Sequence, residues 1–167
     1  MVITFYNSKG GVGKTTSTMH IGAAMASMGH NVLVIDFDNQ RSLSKILKVE
    51  DTPYTVLDLI NNTGKPQLRK RSDDYSVLNG DGSLHASTLK RNSLQKSLKS
   101  WKSHFDYILI DCRPDPIHKS YLSLPEVAIN ASDYFVIPVT PHEDVVSSAL
   151  CVIDEIFDVV KPNHPKI

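Results

Sequence analysis

The sequence predicts an α/β fold, a single domain whose mostly parallel sheet is flanked by helices, and three observations carry that expectation. Short apolar runs alternate with longer segments of helical period. The run Tyr107-Ile108-Leu109-Ile110 is almost continuously apolar, as strands covered on both faces are. The chain has 167 residues, 41% of them apolar, which is enough for one core and close to the size of one domain.

Taken in order, Val2 to Tyr6 reads as the first strand and Asn7 to Lys14 as a glycine-rich loop. Thr15 to Met28 follows as a helix whose Gly22, Ala23, Ala24 and Ala26 permit close packing, with Gly29 as its C-terminal stop. Val32 to Asp36 is a second strand that runs into Asp36-Phe37-Asp38. Ser42 to Leu47 and Thr55 to Ile60 have the length of short helices. Asn61 to Ser87 is polar and turn-rich, with Tyr75 to Leu78 as a candidate strand inside it. From Arg91, residues Leu94, Leu98, Trp101 and Phe105 fall on one helical stripe, with Lys96 and Lys99 opposite. Asp106 to Asp111 is a strand closing in an acid. Tyr121 to Ala131 reads as helical and Tyr134 to Val139 as another strand, and Val145, Ala149, Val152, Ile156 and Val160 trace a last amphipathic helix.

Composition excludes several classes. The two cysteines, Cys112 and Cys151, form no CxxC pair, so a disulfide scaffold is ruled out and a reducing, cytoplasmic compartment is expected. No apolar run approaches the ~20 residues that cross a bilayer, and no basic leader precedes the first strand, so neither export nor membrane association is expected. The seven histidines show no metal-ligand spacing. The formal charge of zero conceals a gradient: Lys plus Arg against Asp plus Glu runs 9 to 3 over residues 61–104 and 4 to 10 over 105–167. A solvated face accounts for the basic stretch, Arg69-Lys70-Arg71 included, more simply than a polyanion site does.

The chemistry is concentrated between the first strand and the first helix, in Lys9-Gly10-Gly11-Val12-Gly13-Lys14-Thr15-Thr16. Glycines let successive backbone N–H groups turn inward around an anion, and the helix that follows adds about half a positive charge at its N-terminus. Lys14 supplies a compact charge for β and γ phosphates, and the Thr15 hydroxyl is a ligand for Mg²⁺. The ordinary GxxxxGK[ST] pattern would need glycine where Ser8 stands; what matches is KGGxGKTT. A chance match to so many fixed positions is rarer than about one in a million in a chain this long. The fold class is thereby narrowed to a P-loop NTPase.

This octet resembles the deviant Walker A motif of the ParA/MinD superfamily of partition and positioning ATPases. Val34-Ile35-Asp36-Phe37-Asp38-Asn39-Gln40 is similar to the DxDPQ segment of ParA-type proteins, with Asn39 in place of proline. Ile108-Leu109-Ile110-Asp111-Cys112-Arg113-Pro114 resembles their Walker B run, and Ala131 to Val139 the strand that ends in IPV. The resemblance implies ATP and Mg²⁺ as cofactors, with residues Lys9 to Thr16 binding the nucleotide. It assigns Lys9 to the partner's ATP across a nucleotide-sandwich dimer, Lys14 and Thr15 to phosphate and Mg²⁺, and Thr16 to the α-phosphate. Asp38 would position the attacking water; Asp36 and Asp111 would support the metal shell.

It also implies a homodimer formed on ATP binding, DNA binding without sequence preference, a centromere-binding adaptor of ParB type, nucleoid association, and segregation of a plasmid, chromosome or phage genome. Residues 1–167 would be the ATPase domain without the family's C-terminal segment. Two other readings stay open: a nucleotide-dependent interaction module with little turnover, and a MinD-like positioning ATPase, whose C-terminal amphipathic membrane helix is not found here.

Overall fold

The computed structural model describes residues 1–70, 75–118, 120–141 and 143–159. Six strands, β1 (Val2–Phe5), β2 (Val32–Phe37), β3 (Arg69–Lys70), β4 (Ser76–Leu78), β5 (Tyr107–Cys112) and β6 (Tyr134–Val136), form one sheet in the order β3-β4-β2-β5-β1-β6. All neighbours are parallel except β3 and β4. The helices are α1 (Lys14–Ser27), α2 (Ser42–Leu47), α3 (Val56–Asn61), α4 (Ser93–Leu98), α5 (Leu124–Ala131) and α6 (Glu143–Val159), with a 3₁₀ turn at Ala86–Thr88. The expected α/β architecture is thus present.

Side chains alternate across the sheet and build a core on each face. Leu33, Ile35, Ile108 and Ile110 pack with α3, α4, α5 and α6 residues on one face. Val32, Val34, Leu109 and Ile3 pack on the other, against the small-residue surface of α1 and against α2. The buried residues of α1, Lys14, Thr18, Gly22 and Ala26, recur every fourth position. Gly22 is needed there: a Cβ would come within 2.9 Å of Val34 Cγ2. Gly29, at φ 90°, ends the helix in the left-handed conformation that favours glycine.

Register then places the chemistry. Asp36 pairs with Asp111 across β2 and β5, and both share the parity of Val34 and Leu109, so the α1-side alternation of both strands ends in a carboxylate. Strand ends beside the loop leaving the first strand are where open α/β sheets hold ligands.

Several expected boundaries shift, each for a local reason. The stripe from Leu94 to Phe105 is helical only to Leu98; Ser103 Oγ then donates to the Ser100 carbonyl at 3.0 Å, and the chain continues in i→i+3 turns. Trp101 and Phe105 still pack against the core from those turns. The α5 helix begins at Leu124 rather than Tyr121 because Ser123 caps it, accepting from the Glu126 N–H, and Pro125 follows in the first turn. The β6 strand stops at Val136, where the register of β1 runs out. Arg69 and Lys70, read as a solvated turn, form the short antiparallel strand β3; Arg71 lies outside the described residues, as does Val160 at the end of the last helix. Part of the charge gradient is neutralised internally, through Arg69 with Asp51, Arg91 with the buried Glu126, and Lys102 with Asp133. Among the described residues no helix is long and apolar enough to cross a membrane.

Candidate nucleotide site

The loop from Asn7 to Lys14 owes its shape to two left-handed glycines and two side-chain clamps. Gly11 has φ 74° and Gly13, the residue before α1, φ 89°. Asn7 is fully buried; its Nδ2 donates to the Pro138 carbonyl at 2.9 Å and its Oδ1 accepts from the Lys9 N–H at 2.9 Å. Lys14 Nζ donates to the Lys9 carbonyl at 2.6 Å, across the loop. A cavity of about 310 Å³ opens here, lined by Gly10, Gly11, Gly13, Lys14, Thr15, Thr16, Asp38, Ser42, Cys112 and Pro114. Val12, also in the loop, is buried and does not line the cavity.

Of the expected site residues, the structure brings Gly10, Gly11, Gly13, Lys14, Thr15, Thr16 and Asp38 to one cavity. Asp111 stands next to it, accepting from Thr15 Oγ1 at 2.7 Å through Oδ2. Asp36 is further engaged: its Oδ2 accepts from the Ser44 N–H at 2.8 Å and Ser44 Oγ at 2.6 Å, tying α2 to the sheet. Asp38 Oδ1 accepts from the Gln40 N–H at 2.8 Å, and its Oδ2 from Ser42 Oγ at 3.4 Å. Lys9 is half-buried, its backbone fixed on both sides by Asn7 and Lys14.

Sequence reasoning passed over Asn7, Ser42, Ser44 and Arg113. Arg113 Nη1 donates to Asn39 Oδ1 at 2.5 Å, joining the two acidic segments. The only signal for these residues is their place beside strand ends, which does not separate them from ordinary loop polars. Cys112 is a buried thiol whose pKa is raised by burial, the wrong direction for thiolate chemistry.

Burial controls the electrostatics. It pulls the Lys14 ammonium below the ordinary lysine range, with Asp111 acting against it. It pushes the Asp111 carboxyl up to about 7 despite the Thr15 hydrogen bond, and Asp36 up to about 6 despite Ser44. Asp36 Oδ1 and Asp111 Oδ1 are buried and have no hydrogen-bond partner among the described residues. A buried carboxylate with one oxygen left unpartnered, next to a threonine hydroxyl, is a hard oxygen donor set of the kind that suits Mg²⁺.

These raised values fix the sign of a pH effect. Between about pH 4 and pH 7 the folded protein holds more protons on Asp36 and Asp111 than the unfolded chain, so stability falls as pH rises through that window. The ligand-free chain is expected to melt roughly 5 °C or more higher at pH 5 than at pH 7.5. Asp111→Asn should shrink that difference, as differential scanning calorimetry at the two pH values would show; an unchanged difference would contradict the assignment.

Comparison with known proteins follows the same lines. The family model described as AAA domain matches residues 1–164. The sporulation initiation inhibitor protein Soj of Bacillus subtilis (strain 168) is 31% identical over 151 residues, 83% of this chain and 57% of that protein. The septum site-determining protein MinD of Thermotoga maritima is 30% identical over 158 residues, 91% of this chain and 56% of that one. The chain therefore spans a little over half the length of these two relatives. The solved structure of pNOB8 ParA bound to nonspecific DNA superposes with a TM-score of 0.71 at 28% identity, covering 92% of this chain and 58% of the other. Motif, fold and relatives agree: the chain belongs to the family described as AAA domain and to the ParA/MinD superfamily of P-loop ATPases, close to the ParA type.

Proposed function

We propose that the chain binds MgATP in the 310 Å³ cavity and hydrolyses it, as one P-loop domain, in a genome-partition cycle. The observation that carries this is the meeting of a glycine cradle, a buried lysine, and the Thr15 hydroxyl on the Asp111 carboxylate, 2.7 Å apart. In this reading the N–H groups at the start of α1 and the Lys14 ammonium hold the β and γ phosphates, where partial desolvation strengthens each contact. Thr16 lies toward the α-phosphate. Thr15 and Asp111 hold the metal, with Asp36 behind them anchoring α2. Bound Mg²⁺ supplies charge neutralisation on the phosphate oxygens. Asp38, held by Gln40 and Ser42, orients the water; little covalent chemistry is asked of the protein, and positioning with charge stabilisation does most of the work.

ATP-bound chains would pair, with Lys9 of each serving the other's nucleotide, and the dimer would bind DNA without sequence preference. A ParB-type adaptor would stimulate turnover and release, moving a plasmid, chromosome or phage genome over the nucleoid in the cytoplasm. The likeness to a ParA solved on nonspecific DNA supports this direction. The likeness to MinD supports a second reading, cell-site positioning. Cosedimentation with DNA and with anionic vesicles, each with ATP, separates the two.

The phosphate assignment is tested on Lys14. Lys14→Ala removes the one charged side chain lining the loop side of the cavity, and ATP affinity should fall at least about tenfold, on the order of 1.4 kcal/mol. Isothermal calorimetry giving wild-type affinity would remove the cradle from the mechanism.

A further inference from the structure

Asn39 occupies the place where the resembling segment has proline, in the turn that carries Asp38. The Arg41 N–H donates to the Asp38 carbonyl at 3.0 Å, closing a β-turn from Asp38 to Arg41 with Asn39 at its second position. Proline is favoured at that position because its ring presets the backbone angle. Asn39 lacks that constraint, and its side chain is fixed from outside instead. Its Oδ1 accepts from Arg113 Nη1 at 2.5 Å, while Arg113 Nε pairs with Asp115 Oδ2 at 2.7 Å. Asp115 is in turn anchored, its carbonyl accepting from the hydroxyl of the fully buried Tyr6 at 2.8 Å. A continuous chain of polar contacts therefore runs from the core through Tyr6, Asp115 and Arg113 to the turn.

The strap stands between two cavities. Asp38 and Pro114 line the nucleotide cavity, whereas their neighbours Asn39, Arg113 and Asp115 line an adjoining one of about 300 Å³. The orientation of Asp38 depends on the same turn, because its Oδ1 accepts from the N–H of Gln40, the third residue of that turn. If the turn opens, that hydrogen bond opens with it.

We propose that Arg113 is a positioning residue for hydrolysis, holding Asn39 so that the turn presents Asp38 to the γ-phosphate side of the cavity, a task that a proline at position 39 would perform through its ring. Arg113 acts through Asn39: it lines the adjoining cavity and is not among the residues that line the nucleotide cavity. The turnover part of this rests on the ATPase reading above; the holding of the turn does not.

The experiment uses the full chain and two substitutions. Arg113→Ala should lower kcat for ATP about tenfold or more while leaving KM within about threefold, since the cradle is untouched. Amide hydrogen exchange at Gln40 and Arg41 should quicken about tenfold in the same variant, because the turn has lost its external hold. Adding Asn39→Pro to Arg113→Ala should restore both the rate and the protection, as the preset ring angle replaces the strap. A role confined to general stability would not be rescued by one proline in one turn. Wild-type kcat in Arg113→Ala, or a double variant that stays as slow and as unprotected as the single one, would overturn the proposal. If the wild-type chain with Mg²⁺ and ATP shows no turnover, the ATPase reading fails, and the exchange measurements alone decide whether Arg113 holds the turn.

Discussion

Asp38→Ala is expected to bind ATP within a few fold of wild type and to lose hydrolysis by about a hundredfold or more. The cradle explains the first half. Asp38 lines the cavity yet donates nothing to the loop: its carboxylate accepts from Gln40 and Ser42, both on its own segment. Removing it leaves Lys14 on the Lys9 carbonyl and Thr15 on Asp111. The second half follows from what phosphoryl transfer asks of a protein, since a water that is not oriented in line contributes little to turnover. A hundredfold loss corresponds to about 2.7 kcal/mol of transition-state stabilisation, a size ordinary for one positioned group. Single-turnover assays with Mg²⁺, run beside equilibrium ATP binding, decide it: a wild-type rate assigns the water to another residue, and weakened binding moves Asp38 into the cradle.

What the sequence displayed and what it concealed divide by range of interaction. The loop from Lys9 to Thr16 was legible because its glycines, lysine and threonines act locally, through consecutive N–H groups and one helix start. The strands were legible because burial on both faces makes their apolar runs continuous. The convergence of Asp36 and Asp111 required register, which sequence alone does not state; once β2 pairs with β5, both acids fall on the α1 side. Helix ends were less legible. Trp101 and Phe105 continue an apolar stripe through residues that are not helical, because the core accepts the rings from a turn as well as from a helix. Least visible were the long-range polar clamps. Asn7 with Pro138, Ser44 with Asp36, and Arg113 with Asn39 join segments 131, 8 and 74 residues apart, and no periodicity marks them.

Lys9→Ala is expected to leave ATP binding by the monomer within a few fold of wild type and to abolish ATP-dependent dimerisation, together with any DNA binding that needs the dimer. The loop tolerates the change because Lys9 serves it through its backbone: the N–H goes to Asn7 and the carbonyl receives Lys14. Both contacts survive truncation to alanine. Family resemblance gives the side chain a role at a partner's site. Two ATP molecules at one interface bring triphosphates together, and in a partly dry contact their repulsion opposes association strongly. In the proposed dimer a lysine donated by each subunit would offset that repulsion only when nucleotide is present, which would make dimerisation conditional on ATP. Light scattering with MgATP in an Asp38→Ala background, where turnover is suppressed, isolates this step. The Asp38→Ala chain should pair and the Lys9→Ala, Asp38→Ala chain should remain monomeric at the same concentration. A double variant that pairs with the affinity of Asp38→Ala alone would show that Lys9 does not act across the interface, and the charge offset would then have to come from another residue.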